Sequence, residues 1–164
     1  MADYAKVAME EKARHDAAGF AATEELKQKE ASGVFFADLE AALIRELNKA
    51  NPELEKHGLL KGHKAGGIMM PPKRFATQIR LSYGRNAACE VNFDQSQSTI
   101  QLEMNADAEM RGDAVHEKAV FRIRNSDAGA AARKVELEQE TAGELGPGDI
   151  AEIVIVGLIR GHFE

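Results

Sequence analysis

Hydrophobic and polar positions divide the chain into a helical first part and a strand-rich remainder. Phe35, Phe36, Leu39, Leu43, Ile44 and Leu47 recur every three or four residues, while Asp38, Glu40, Arg45, Glu46 and Lys49 fall mostly on the other side. That spacing predicts an amphipathic helix with one buried face. Ser32 stands where an N-cap is expected, because its hydroxyl can accept from an N–H of the first turn. Asn51-Pro52 is expected to end this helix, since the residue before a proline avoids helical backbone. Upstream, residues 1–31 are rich in Ala, Glu and Lys, which are good helix formers. Their large apolar residues are only Tyr4, Val7, Met9, Phe20 and Leu26, and the stripe begun by Tyr4, Val7 and Ala8 fades before Phe20. A helix so polar gains little from packing on its own core. The expected organisation is an arm over residues 1–31, helical or partly disordered, ahead of a single α+β domain over residues 32–164.

Beyond residue 73 the period changes from three and four to two. Phe75, Thr77, Ile79, Leu81 and Tyr83 alternate with Ala76, Gln78, Arg80 and Ser82. Ala87, Cys89, Val91 and Phe93 do the same after a turn at Gly84-Arg85-Asn86, and Ile100, Leu102 and Met104 follow after Asp94 to Gln97. Alternation of this kind marks antiparallel strands with one dry and one wet face. Two further strands are expected: Phe121 and Ile123 among Val120, Arg122 and Arg124, then Val135 and Leu137 among Lys134, Glu136 and Glu138. The fold class is therefore α+β, a largely antiparallel five-stranded sheet with helices packed on one face.

The last element follows Gly146-Pro147-Gly148. Asp149 can cap a helix there, with Glu152 three residues on as in a capping box. Ile150, Ile153, Val154, Gly157 and Leu158 then share one helical face. The run Ile153 to Val156 is β-branched and suits a buried strand as well, and we read it as helix. Ile155, Val156 and Ile159 remain on a second apolar face. Two apolar faces imply two partners, so these three residues are the expected interface of a homodimer. Gly157 and Gly161 would allow a close approach beside it.

Charge adds one feature. The 164 residues carry 21 Lys and Arg against 27 Asp and Glu, a net −6. Between Lys56 and Cys89 there is no acid at all, while seven cations fall there: Lys56, Lys61, Lys64, Lys73, Arg74, Arg80 and Arg85. Residues 58–73 also hold four glycines and close on Pro71-Pro72, the composition of a long loop. Lys61, His63, Lys64, Lys73 and Arg74 are the candidate anion contacts of this basic, Gly-rich segment, and a small anionic or apolar ligand under loop 58–74 is the alternative reading of function. A true phosphate loop is excluded, because His63 stands where lysine is required and a strand follows instead of a helix.

Other chemistry fails on spacing. His57 and His63 have no Cys or carboxylate beside them, and His116-Glu117 is followed by Val120 where the helical zinc motif needs a second His. Asp107, Glu109 and Asp113 do not follow a calcium loop. The single cysteine, Cys89, excludes an intramolecular disulfide and lies on dry parity, so no reactive thiol is expected. Arg80, Arg122 and Arg124 share the wet parity with Glu90, Glu103, Glu136 and Glu138 and no aromatic residue, which argues against single-stranded nucleic acid. No apolar run reaches the roughly 20 residues that cross a bilayer, and no signal peptide is expected.

The order helix, three strands, a short irregular or helical stretch, two strands and helix over residues 33–162 resembles that of type III secretion chaperones. The resemblance lies in element order alone. It implies a small, acidic, homodimeric binding protein. Because the sequence offers no convergent catalytic set, the expected function is a cytoplasmic binding or assembly module without catalytic activity or cofactor, working as a homodimer and open to a protein partner.

Overall fold

The computed structural model describes residues 3–59, 67–84, 87–106, 115–126, 129–141 and 143–163. The helix start expected at Ser32 is not found. One helix, α1, runs from Tyr4 to Lys56, 53 residues in all, or about 80 Å at 1.5 Å per residue. Asp3 caps it, its side chain accepting from Lys6 N–H at 3.2 Å. Ser32 is no cap. It lies buried in mid-helix, its hydroxyl donating to the Lys29 carbonyl at 2.8 Å. Pro52 lies inside the helix as well. It deletes a single backbone donor within the last turns, where few ladder bonds remain to be disturbed. The preceding Asn51 is held from outside: its Nδ2 donates to the Ile68 carbonyl at 3.1 Å and its Oδ1 accepts from Ile68 N–H at 2.7 Å.

The α+β class and the antiparallel sheet stand. Among the described residues the sheet has seven strands, not five: β1 (Ile68–Met69), β2 (Gln78–Tyr83), β3 (Ala87–Asp94), β4 (Thr99–Ala106), β5 (Val115–Ser126), β6 (Gly129–Glu136) and β7 (Gln139–Glu140). Each pairs antiparallel with its sequence neighbours. The two additions are the edges. Two residues cannot display a period of two, so no pattern could reveal them. β1 covers only two of the six residues of β2, so the ladder leaves the rest of that outer edge unpaired.

The predicted dry parity holds through the centre. Ile79, Leu81 and Tyr83 on β2, Cys89, Val91 and Phe93 on β3, Ile100, Leu102 and Met104 on β4, and Phe121 and Ile123 on β5 are all buried. They form one core with Phe35, Phe36, Leu39 and Leu43 of α1. Phe36 meets Phe93 edge to face, with ring centroids 4.9 Å apart. Two positions break the pattern. Phe75 precedes β2 and is 64% exposed. On β6 the buried residue is Ala132, whereas Leu137 is 99% exposed at the β6–β7 turn with φ 50°. Small alanines carry the dry parity of that strand, so the larger Val135 and Leu137 suggested the wrong register.

The last element is a helix, α2 (Pro147–Arg160). It begins at Gly146, earlier than expected. Asp149 acts from the third helical position, accepting from Gly146 N–H at 2.8 Å. Pro147 suits the first turn, where its missing N–H has no partner to lose. Gly161 ends the helix at φ 81°. These end signals override the β-branched run. α2 packs against α1 and against β2, β3 and β4.

Candidate functional site

The chemistry of the chain gathers at one sheet edge. β1 pairs with β2 only through Ile68–Tyr83 and Met69–Ser82. The chain then leaves the ladder, because Pro71 and Pro72 have no N–H to donate. The segment Met70–Thr77 passes the open part of β2 and leaves a cleft of about 310 Å³. Pro71, Pro72, Lys73 and Arg74 form one wall; Gln78, Arg80, Ser82 and Ala88 form the other.

Of the five sequence-predicted anion contacts, Lys73 and Arg74 lie here. Lys61, His63 and Lys64 lie outside the described residues. The two that are described do different things. Lys73 Nζ pairs with Glu40 Oε2 of α1 at 2.5 Å and stands 5.8 Å from the centre of the Phe36 ring. It ties the segment to the helix. Arg74 makes no hydrogen bond or ion pair among the described residues. Arg80, which shares the wet parity with Glu90, faces it across the strands at 3.4 Å. It is the cation that the loop-centred reading missed. Its signal was the sheet parity it shares with Gln78 and Ser82, not any motif. Gln78 Nε2 in turn donates to Asn92 Oδ1 at 3.1 Å.

The predicted interface residues separate. Ile155 is 4% exposed within the single chain, and Ile159 is half-buried against the core. Val156 is 41% exposed beside Asp149, Glu152, Ile153 and His162, which line a shallow groove of about 220 Å³. α1 lies along α2, so much of the second apolar face is met inside one chain. The space over Gly157 is taken as well: a Cβ there would stand 2.9 Å from Phe163 and 3.1 Å from Met104.

Cys89 is fully buried, and burial pushes its thiol up to about 12. At neutral pH it holds almost no thiolate, the form that reacts. Among the described residues no group of three or more His, Cys, Asp or Glu could hold a metal ion, and no helix is long and apolar enough to cross a membrane.

The other exposed feature is the first half of α1. Every residue from Asp3 to Lys27 is exposed, and burial begins only at Gln28. Gln28 is where the helix joins the body: its Nε2 donates to the Ile123 carbonyl at 2.7 Å and its Oε1 accepts from Asn125 N–H at 2.9 Å. Comparison of the chain with protein-family models, with curated proteins and with solved structures finds no match.

Proposed function

We propose that the protein is a small cytoplasmic binding and assembly module, working as a homodimer, and that the helical arm Asp3–Lys27 holds the second copy. One observation carries this reading: the arm leaves the body as continuous helix with Tyr4, Val7, Met9, Phe20 and Leu26 all in solvent. An isolated helix draws little stability from propensity, and most helices owe theirs to a packed apolar face. A helix with no cover in its own chain calls for cover from another. Met9 and Phe20 lie eleven residues apart, about three turns, and so share a face. Val34, also exposed, continues that line over the body. A partner helix laid along it would cover all three. Val156 on α2 is the one residue of the expected α2 interface that remains open.

Sedimentation equilibrium of the full chain tests this. We expect a dimer at micromolar concentration, and a monomer with an unchanged thermal midpoint for M9E/F20E, because both side chains are mostly exposed in the single chain. A chain that stays monomeric at high micromolar concentration overturns the homodimer. A dimer that M9E/F20E leaves intact moves the interface away from the arm.

A further inference from the structure

We infer that the cleft between β2 and the Pro71–Arg74 segment is a binding site for a small organic oxyanion, a phosphate or carboxylate on a short apolar stem. The inference does not depend on the assembly reading above. Its first support is backbone geometry. Phe93 N–H donates to the Thr77 carbonyl at 2.8 Å. Ladder bonds of an antiparallel pair alternate, so Ile79 and Leu81 also exchange bonds with β3. The backbone of Arg80, between them, turns to the other side, where β1 has ended. An N–H at such an open edge is a donor awaiting an acceptor.

The second support is charge. Arg74 makes no ion pair or hydrogen bond among the described residues, and no acid occurs between Lys56 and Cys89 to compete for it. The acids that do reach this region come from other elements. Glu40 of α1 is engaged by Lys73, and Glu90 of β3 shares Arg80. Among the described residues one guanidinium is thus without a partner and a second is half-engaged. Guanidinium groups present a planar fork that matches carboxylate and phosphate oxygens. Ser82 adds a hydroxyl to the same wall.

The third support is preorganisation. The two prolines stiffen the segment, and the Lys73–Glu40 pair anchors it, so Arg74 is held near the edge before any ligand arrives. The rings of Pro71 and Pro72 offer an apolar wall opposite the small Ala88, which suits a short stem. A volume of about 310 Å³ fits a small molecule.

Amide-resolved NMR titration of the full chain tests the site, with inorganic phosphate, phenyl phosphate and benzoate as probes. Phenyl phosphate or benzoate should give saturable shifts at Arg74, Arg80 and Ser82, and whichever is tighter identifies the anion. R74E should weaken that binding at least about tenfold, the effect of losing a charge-assisted bond, with an unchanged thermal midpoint. E90Q should tighten it, because Arg80 loses its internal competitor. Should R74E prove poorly folded, R74Q serves in its place. Shifts that never saturate and spread over exposed lysines overturn the site, as does unchanged affinity in the arginine variant. Equal affinity for inorganic and phenyl phosphate overturns the stem.

Discussion

At the scale of single residues, two side-chain amides do the work of missing backbone. β5 runs past the end of β4, and there Gln28 supplies the carbonyl and N–H that a longer β4 would have offered to Ile123 and Asn125. Asn51 does the same for Ile68 at the far edge. The two amides fasten α1 to the sheet at both ends of its packed length. Gln28→Ala should cost about 1–3 kcal/mol, the penalty of leaving partly buried partners unmade. Its readout is a midpoint lowered by about 2–4 °C per kcal/mol. Gly67 belongs to the same device. A Cβ there would lie 2.2 Å from Asn51 Oδ1. Gly67→Ala should therefore destabilise strongly in the native chain and weakly in an Asn51→Ala background. A double-mutant cycle in denaturant checks this, and additive effects would refute the coupling.

Leu137 and Glu138 make a second residue-scale case. Both have positive φ, 50° and 66°, a conformation that costs a side-chain-bearing residue about 1–2 kcal/mol. Asn-Gly is the pair such two-residue turns favour. L137N/E138G should raise the thermal midpoint, and a lowered midpoint would count against the turn as described.

At the scale of elements, the β3–β4 hairpin rests on one carboxylate. Asp94 Oδ1 accepts from Ser96 Oγ at 2.6 Å, Ser96 N–H at 3.0 Å and Gln97 N–H at 3.2 Å. The Ser96 hydroxyl, with the Gln97 N–H behind it, holds the carboxyl below its ordinary value of 3.8. A lowered carboxyl binds fewer protons folded than unfolded. Its contribution is present in full above pH 3.8 and is lost as the pH falls through the lower folded value. Asp94→Ala should cost about 1 kcal/mol at neutral pH, a modest figure because the site is exposed. The gap between the two chains should close in acid, as thermal melts across that range would show. A constant gap would assign the loss to something other than the charge.

The helices show how far elements were legible. The apolar period over residues 35–47 foretold a buried face on α1, carried by Phe35, Phe36, Leu39 and Leu43, although Ile44 of the same stripe is 43% exposed. It could not foretell continuity. Ser32 resembles a cap and Asn51-Pro52 a stop, yet both sit inside one helix: the Ser32 hydroxyl donates to Lys29 of the preceding turn, and the Asn51 side chain is engaged by Ile68. α2 reads equally as strand or helix by composition. Pro147, Asp149 and Gly161 at its ends, together with its packing between α1 and the sheet, decide for helix.

At the scale of the whole molecule, the body and the arm are distinct in what holds them. The body has one core, while residues from Asp3 to Lys27 add nothing to it. Removing that segment should leave the thermal midpoint of the body unchanged and abolish self-association. Sedimentation and melting of the shortened chain check both outcomes, and a lowered midpoint in a monomeric chain would show that the arm packs on its own body.

What the sequence by itself determined is whatever repeats along the chain: the dry parity of β2 to β5, the buried stripe of α1, and the acid-free stretch around Lys73, Arg74 and Arg80. Periodicity and charge are local, so they survive without coordinates. Only the tertiary structure decided the features that join distant residues. These include the two-residue edge strands, the amide links of Gln28 and Asn51, and the burial of Ile155 within the single chain. They also include the division of labour in the cleft, where Lys73 answers Glu40 and Arg74 remains open. Each depends on which groups meet in space, and a lysine paired 33 residues away reads in sequence the same as a free one.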